Sequence, residues 1–136
     1  MVTMIHIDDE DAILRAMART ASSYRPRWQW ESFEPNGLEP IVEAVRAAVT
    51  RGDKVIYMTD RQIGPPFGTG ENLWAAVWAA LTLEERLAVE LIVMACSSNG
   101  FEPLRTGIEA VSGGSIRIIA APKPIDISAF FALLPL

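Results

Sequence analysis

Histidine and cysteine are nearly absent: His6 and Cys96 are the only ones in 136 residues. A lone cysteine excludes an intrachain disulfide and a zinc–thiolate cluster, and points to a reducing compartment. A lone histidine all but excludes Ser-His-Asp, Cys-His and multi-histidine metal chemistry. No cluster of lysine and arginine exceeds two residues, and the net charge is −5. Such an acidic surface argues against gripping nucleic acid or anionic lipid. The longest apolar stretch, Leu73 to Leu81, is too short to span a bilayer. The N-terminus has no basic segment followed by an apolar one, so no signal peptide is expected. A cytoplasmic chain with neither nucleic-acid nor membrane partners is the resulting expectation. Internal repeats, low-complexity tracts and linkers are missing as well.

What is present suits a globular fold. Half the residues are hydrophobic and 21% are charged, so 1–136 reads as a single domain with a real core. Val2–Ile7 is a short, β-branched strand. Residues 11–20 carry Ile13, Leu14 and Met17 at helical spacing. In "RWQWESF" the aromatic residues alternate with polar ones, which predicts a second strand with Trp28 and Trp30 on one face. "LEPIVEAVRAAVTRG" is a helix with Pro40 early and Gly52 just past its end. "KVIYMTD" is a buried strand ending in an acid, and "RQIGPPFGTG" is loop. "ENLWAAVWAAL" is a third helix, with Trp74 and Trp78 one turn apart as packing residues. "ERLAVELIVMACSS" changes from helix to strand near Glu90. "NGFEPLRTGIEAVSGG" is a helix weakened by Gly107, "SIRIIAAP" is a fifth strand, and a short apolar helix follows. Five alternations of strand and helix predict an α/β fold, a doubly wound five-stranded parallel sheet with helices on both faces.

In such sheets ligands gather at the carboxyl ends of the strands. Strand one ends in Asp8 and Asp9, strand three in Asp60, strand four near Ala95 to Ser98, and strand five in Lys123-Pro124. Three carboxylates and one ammonium therefore converge on one edge. Acids so close raise one another's pKa unless a cation compensates them. A hard divalent ion such as Mg²⁺ prefers such oxygens, and the lysine suits a phosphoryl oxygen. Singly, each residue has a plainer use. Asp8 to Asp11 can cap a helix, Asp60 can start a turn, and Lys123 can sit in solvent. "GPPFGTG" lacks the Lys-Ser/Thr of a phosphate loop.

The set "IHIDDE", "VIYMTD" and "APKPID", with "PNG" and "GENL" between, resembles the flavodoxin-like receiver domain of two-component response regulators over nearly the whole chain. The resemblance implies Asp60 as phospho-acceptor, and Mg²⁺ held by Asp9 directly, by Asp8, by Asp60 and by the backbone carbonyl of Gln62. It implies Lys123 as partner of the phosphorylated aspartate, joined to Pro124 by a cis bond. The donor would be a phosphohistidine on a histidine kinase or histidine phosphotransfer protein, and the output would pass to a downstream protein target. His6, inside a strand, is a poor donor. The chain would be a regulatory domain whose only chemistry is its own phosphotransfer and dephosphorylation.

Departures from the pattern are specific. Receivers place Thr or Ser at the end of strand four. Counting along the strand puts Ala95 there, with Ser97 the nearest hydroxyl on the same face. Ala120 stands where an aromatic switch residue is common. Both alanines favour an alternative, a pseudo-receiver used for docking or dimerisation without phosphorylation. A metal-dependent phosphatase would need an acid at Gln62. Cys96 reads as a buried small hydrophobe. The last helix, with Ile127, Phe130, Phe131, Leu133, Leu134 and Leu136, has little polar face. It either packs on its own core or is covered by a partner, including a second copy in a homodimer.

Overall fold

The structure, a computed structural model, describes residues 1–134. Its elements are β1 (Val2–Ile7), α1 (Asp11–Tyr24), β2 (Gln29–Phe33), α2 (Glu39–Arg51), β3 (Lys54–Thr59), β4 (Gln62–Gly64), β5 (Gly68–Thr69), α3 (Gly70–Ala80), α4 (Leu83–Ala88), β6 (Val89–Cys96), α5 (Phe101–Ser112), β7 (Arg117–Pro122) and α6 (Ile127–Leu133). A 3-10 turn over Ser98–Gly100 leads into α5. The main sheet has the order β2-β1-β3-β6-β7, every pair parallel. The doubly wound α/β architecture read from the sequence is the one observed.

Helix ends follow local chemistry. Pro40 sits in the first turn of α2, and Gly52 closes that helix at φ 79°, its N–H donating to the carbonyls of Ala48 and Val49; glycine reaches this conformation without a Cβ penalty. Thr69 caps α3 by accepting from Asn72 N. Thr82 and Glu85 form a reciprocal capping box on α4.

Strand alternation divides the core in two. Ile5, Ile7, Tyr57, Ile92 and Met94 face α2, α3 and α5, where Ile41, Val45, Trp74, Val77, Leu104 and Ile108 are buried. Met4, Ile56, Met58, Val93 and Ala95 face α1 and α6, against Met17, Ala21, Phe130 and Phe131. Each such buried large side chain contributes about 1.5–3 kcal/mol. Trp28 and Trp30 both pack on the second face, Trp30 from within β2 and Trp28 from the bend just before it, outside the strand the sequence predicts for it. The apolar side of α6 lies on this core: Phe130, Phe131 and Leu134 are buried, and Leu133 is exposed. Of the two sequence alternatives for α6, packing on its own core is therefore observed; Leu136 lies outside the described residues. Among those residues no helix is long and apolar enough to cross a membrane.

The expected loop after β3 is a small antiparallel hairpin, β4 with β5. Gly70, at its far end, donates its N–H to the carbonyl of Arg61 at 2.7 Å. A Cβ on Gly70 would overlap the Asp60 carbonyl oxygen, so the hairpin can close against the end of β3 only with glycine there. Gly107 has a related role. A Cβ there would stand 2.5 Å from the Cβ of Glu71, so its absence lets α5 approach the start of α3.

Candidate functional site

The helix after β1 lies on one face of the sheet and the helix after β3 on the other, which opens a crevice at the carboxyl ends of these two strands. Ile7 pairs with Thr59 in register. Asp8 and Asp60 are the next residues of each strand, so the ladder itself brings them side by side. Asp8 is held by its own N–H, which donates to the carbonyl of Phe33 at 3.3 Å, and by Glu10 N, which donates to its Oδ1 at 2.9 Å. Asp60 Oδ1 accepts from Arg61 N at 2.6 Å. Lys123 arrives from the end of β7, fixed by its backbone N–H donating to the Cys96 carbonyl at 3.0 Å. Its Nζ donates to Asp8 Oδ2 at 2.7 Å and to Asp60 Oδ2 at 2.6 Å. The Lys123–Pro124 peptide is cis, as the resemblance implied.

Asp9 completes the group. Asp8, Asp9 and Asp60 each offer a carboxylate oxygen within 4.8 Å of the others. One ammonium set against three carboxylates leaves the cluster with two negative charges in excess. Asp8 is fully buried and Asp9 exposed. Partial desolvation, followed by the hydrogen bond and charge of Asp8 and the charge of Asp60, raises the pKa of Asp9. Burial alone would lower the pKa of Lys123; its hydrogen bonds to Asp60 and Asp8 outweigh this and raise it, so the ammonium stays charged. Crowded hard oxygens with excess negative charge are the donor chemistry of Mg²⁺. The residues present fit such an ion.

A cavity of about 230 Å³ adjoins Asp60 and is lined by Arg61, Gln62, Cys96, Ser97, Asn99 and Gly100. Ser97 and Gln62 thus stand beside Asp60. Ser97 Oγ donates to Asn99 Oδ1 at 2.7 Å. Ala95, by contrast, packs against the α1 and α6 side, away from the cavity. Cys96 is buried as expected, but it is also a wall of this cavity, a place the sequence reading did not give it. Burial, and then the negative charge of Asp60, push its thiol up to about 11, so it is protonated at neutral pH. From Leu91 to Cys96 the pairing with β7 is regular, so plain alternation sets Cys96 on the face of Ile92 and Met94, and Ala95 on that of Leu91 and Val93.

His6 is wholly buried, with neither ring nitrogen partnered among the described residues. Burial lowers its pKa to about 4, so the ring is neutral and out of reach of solvent.

No protein-family model matches the sequence, and no curated protein matches it. Among solved structures, the chain is similar to a response regulator receiver protein from Dyadobacter fermentans DSM 18053. The two are 17% identical, the match covers 98% of this chain and 95% of that one, and the TM-score is 0.67. The chain has the receiver fold. At that identity the likeness speaks for the fold alone. With the receiver fold, Asp8, Asp9 and Asp60 stand at the switch point of the sheet with Lys123 bridging two of them.

Proposed function

We propose that the chain is a phospho-acceptor domain of two-component signalling, taking a phosphoryl group on Asp60 from a phosphohistidine on a histidine kinase or histidine phosphotransfer protein. The observation that carries this reading is the Lys123 ammonium shared by Asp8 and Asp60, with Asp9 beside them. Asp60 is 14% exposed through its side chain, enough for one oxygen to meet an incoming group. A carboxylate Oδ of Asp60 attacks phosphorus; the P–O bond forms as the P–N bond breaks, and the imidazole leaves with the electron pair. Lys123, already 2.6 Å from Asp60 Oδ2, follows a phosphoryl oxygen and offsets its charge. Asp8, Asp9, Asp60 and the Gln62 carbonyl would hold Mg²⁺, which when bound neutralises charge on the transferring group. Ser97, released from Asn99, is the hydroxyl assigned to the phosphoryl group, and the protonated Cys96 thiol is a second, weaker donor. Loss of the group is hydrolysis at phosphorus, returning the Asp60 carboxylate. The output is a changed surface read by a downstream protein, in the cytoplasm.

A second reading, a docking module without phosphorylation, rests on Ala95, which packs away from the cavity, and on Ala120. Incubation with Mg²⁺ and a small phosphodonor such as acetyl phosphate separates the two. Phospho-acceptance predicts an intact mass heavier by one phosphoryl group, lost in Asp60→Asn. An unmodified mass supports the docking module. Sustained turnover of a phosphate ester would instead indicate a hydrolase, against which Gln62 stands where such an enzyme needs an acid.

A further inference from the structure

Helix α4 wears its amphipathicity reversed. Of its two acids Glu84 is exposed but Glu85 is buried, held by the capping box with Thr82 and by Arg46 Nε at 3.1 Å. Its leucines point out: Leu83 is 72% exposed and Leu87 74%. They stand four residues apart and so share one face. Nothing in the helix's own stability requires leucine at either position, since propensity is served as well by lysine or glutamine. The two leucines help line a groove of about 850 Å³, together with Ile116 and Trp78.

The groove lies at the amino ends of the strands, where Lys54 begins β3, Val89 begins β6 and Arg117 begins β7. The strands between separate it from Asp60 by roughly 20 Å. Its rim is basic on an acidic protein. Lys54 is matched by Glu90 at 2.8 Å. Arg86 lies over the Trp78 ring at 4.9 Å and donates to the Trp78 carbonyl. Among the described residues neither Arg86 nor Arg117 has a carboxylate within ion-pair distance. The rim therefore keeps two unmatched guanidiniums beside exposed leucines, on a chain of net charge −5. A second copy docked groove to groove would set these guanidiniums against each other.

We infer that this groove docks an acidic amphipathic helix of another protein, its leucines against Leu83 and Leu87 and its carboxylates against Arg86 and Arg117. Apolar anchors at i, i+3, i+4 and i+7 are how such helices are read. Docking is independent of the state of Asp60.

The test uses the full chain and two fluorescent peptides of about four helical turns. Both carry leucines at i, i+3, i+4 and i+7; one flanks them with glutamates, its twin with lysines. Fluorescence anisotropy should show saturable binding of the acidic peptide. The twin should bind at least about tenfold more weakly. Leu83→Glu, Leu87→Glu and Arg117→Glu should each cost about tenfold or more. All three positions are exposed, so folding should survive, which circular dichroism verifies. Asp60→Asn should bind as the parent does. Absence of binding, equal binding of the twin, indifference to the groove variants, or loss in Asp60→Asn would each overturn the inference. So would a concentration-dependent dimer that Leu87→Glu dissolves, which would make the groove a self-interface.

Discussion

Replacing Lys123 with methionine keeps most of the side chain's volume and removes its charge. Asp8 then loses the ammonium 2.7 Å away while remaining fully buried. Breaking a buried ion pair from one side costs about 3–5 kcal/mol. Here the lower end applies, because Asp60 and Lys123 are 14% and 18% exposed and the backbone bonds to both aspartates remain. For 136 residues the unfolding entropy is about 0.29 kcal/mol/K, so a loss of about 3 kcal/mol lowers Tm by about 10 °C. Magnesium should narrow that gap. The ammonium and the dication compete for the same oxygens, so the variant should bind Mg²⁺ more tightly than the parent. Ligand at a hundred times its Kd returns about 2.7 kcal/mol. The assay is thermal unfolding by circular dichroism of both proteins, in chelator and in saturating Mg²⁺. A variant within about 2 °C of the parent in chelator would refute the buried-pair argument. A gap unchanged by Mg²⁺ would refute a shared cation site.

Other consequences lie farther from the crevice. Asp53 is partly desolvated, but the hydrogen bonds of Thr3 and Arg51 and the nearby N-terminus more than offset this and hold its pKa below the usual carboxylate value. Its contribution is present above the ordinary value and lost as pH falls through the depressed one, so Asp53→Asn should flatten the acid limb of a stability–pH curve below about pH 4. An unchanged limb would contradict that. Gly107→Ala gains about 1 kcal/mol of helix propensity, yet its Cβ would press on Glu71, and overpacking costs about 1–3 kcal/mol. Urea unfolding should show a net loss, and a stabilised variant would show that α3 and α5 are not so close. Cys96, buried with its thiol pushed up to about 11, should react slowly with a maleimide at pH 7.5 in the folded chain and quickly in denaturant. Fast labelling of the folded protein would place the thiol outside.

Much of this architecture was legible because its determinants are local. Apolar runs ending in Asp8, Asp60 and Lys123 mark buried parallel strands, and parallel order sends all three ends to one edge. What the sequence concealed depended on register or on contacts between distant segments. The place of Cys96 beside the site depends on how the end of β6 meets Lys123, a contact between distant segments. The hairpin of β4 and β5 was hidden in "GPPFG", which carries turn residues and no alternation. Gly107 reads as a flaw in a helix until Glu71 is seen against it. Leu83 and Leu87 look like core residues by type. Only the burial of Glu85 shows that α4 is turned the other way.

The account depends on Asp60 being the residue that accepts the phosphoryl group. Borohydride reduces an aspartyl phosphate to homoserine at the residue that carried it. After incubation with Mg²⁺ and acetyl phosphate, borohydride trapping and peptide sequencing by mass spectrometry should find homoserine at position 60 alone. Homoserine elsewhere, or none at all from a folded, magnesium-loaded chain, would contradict it.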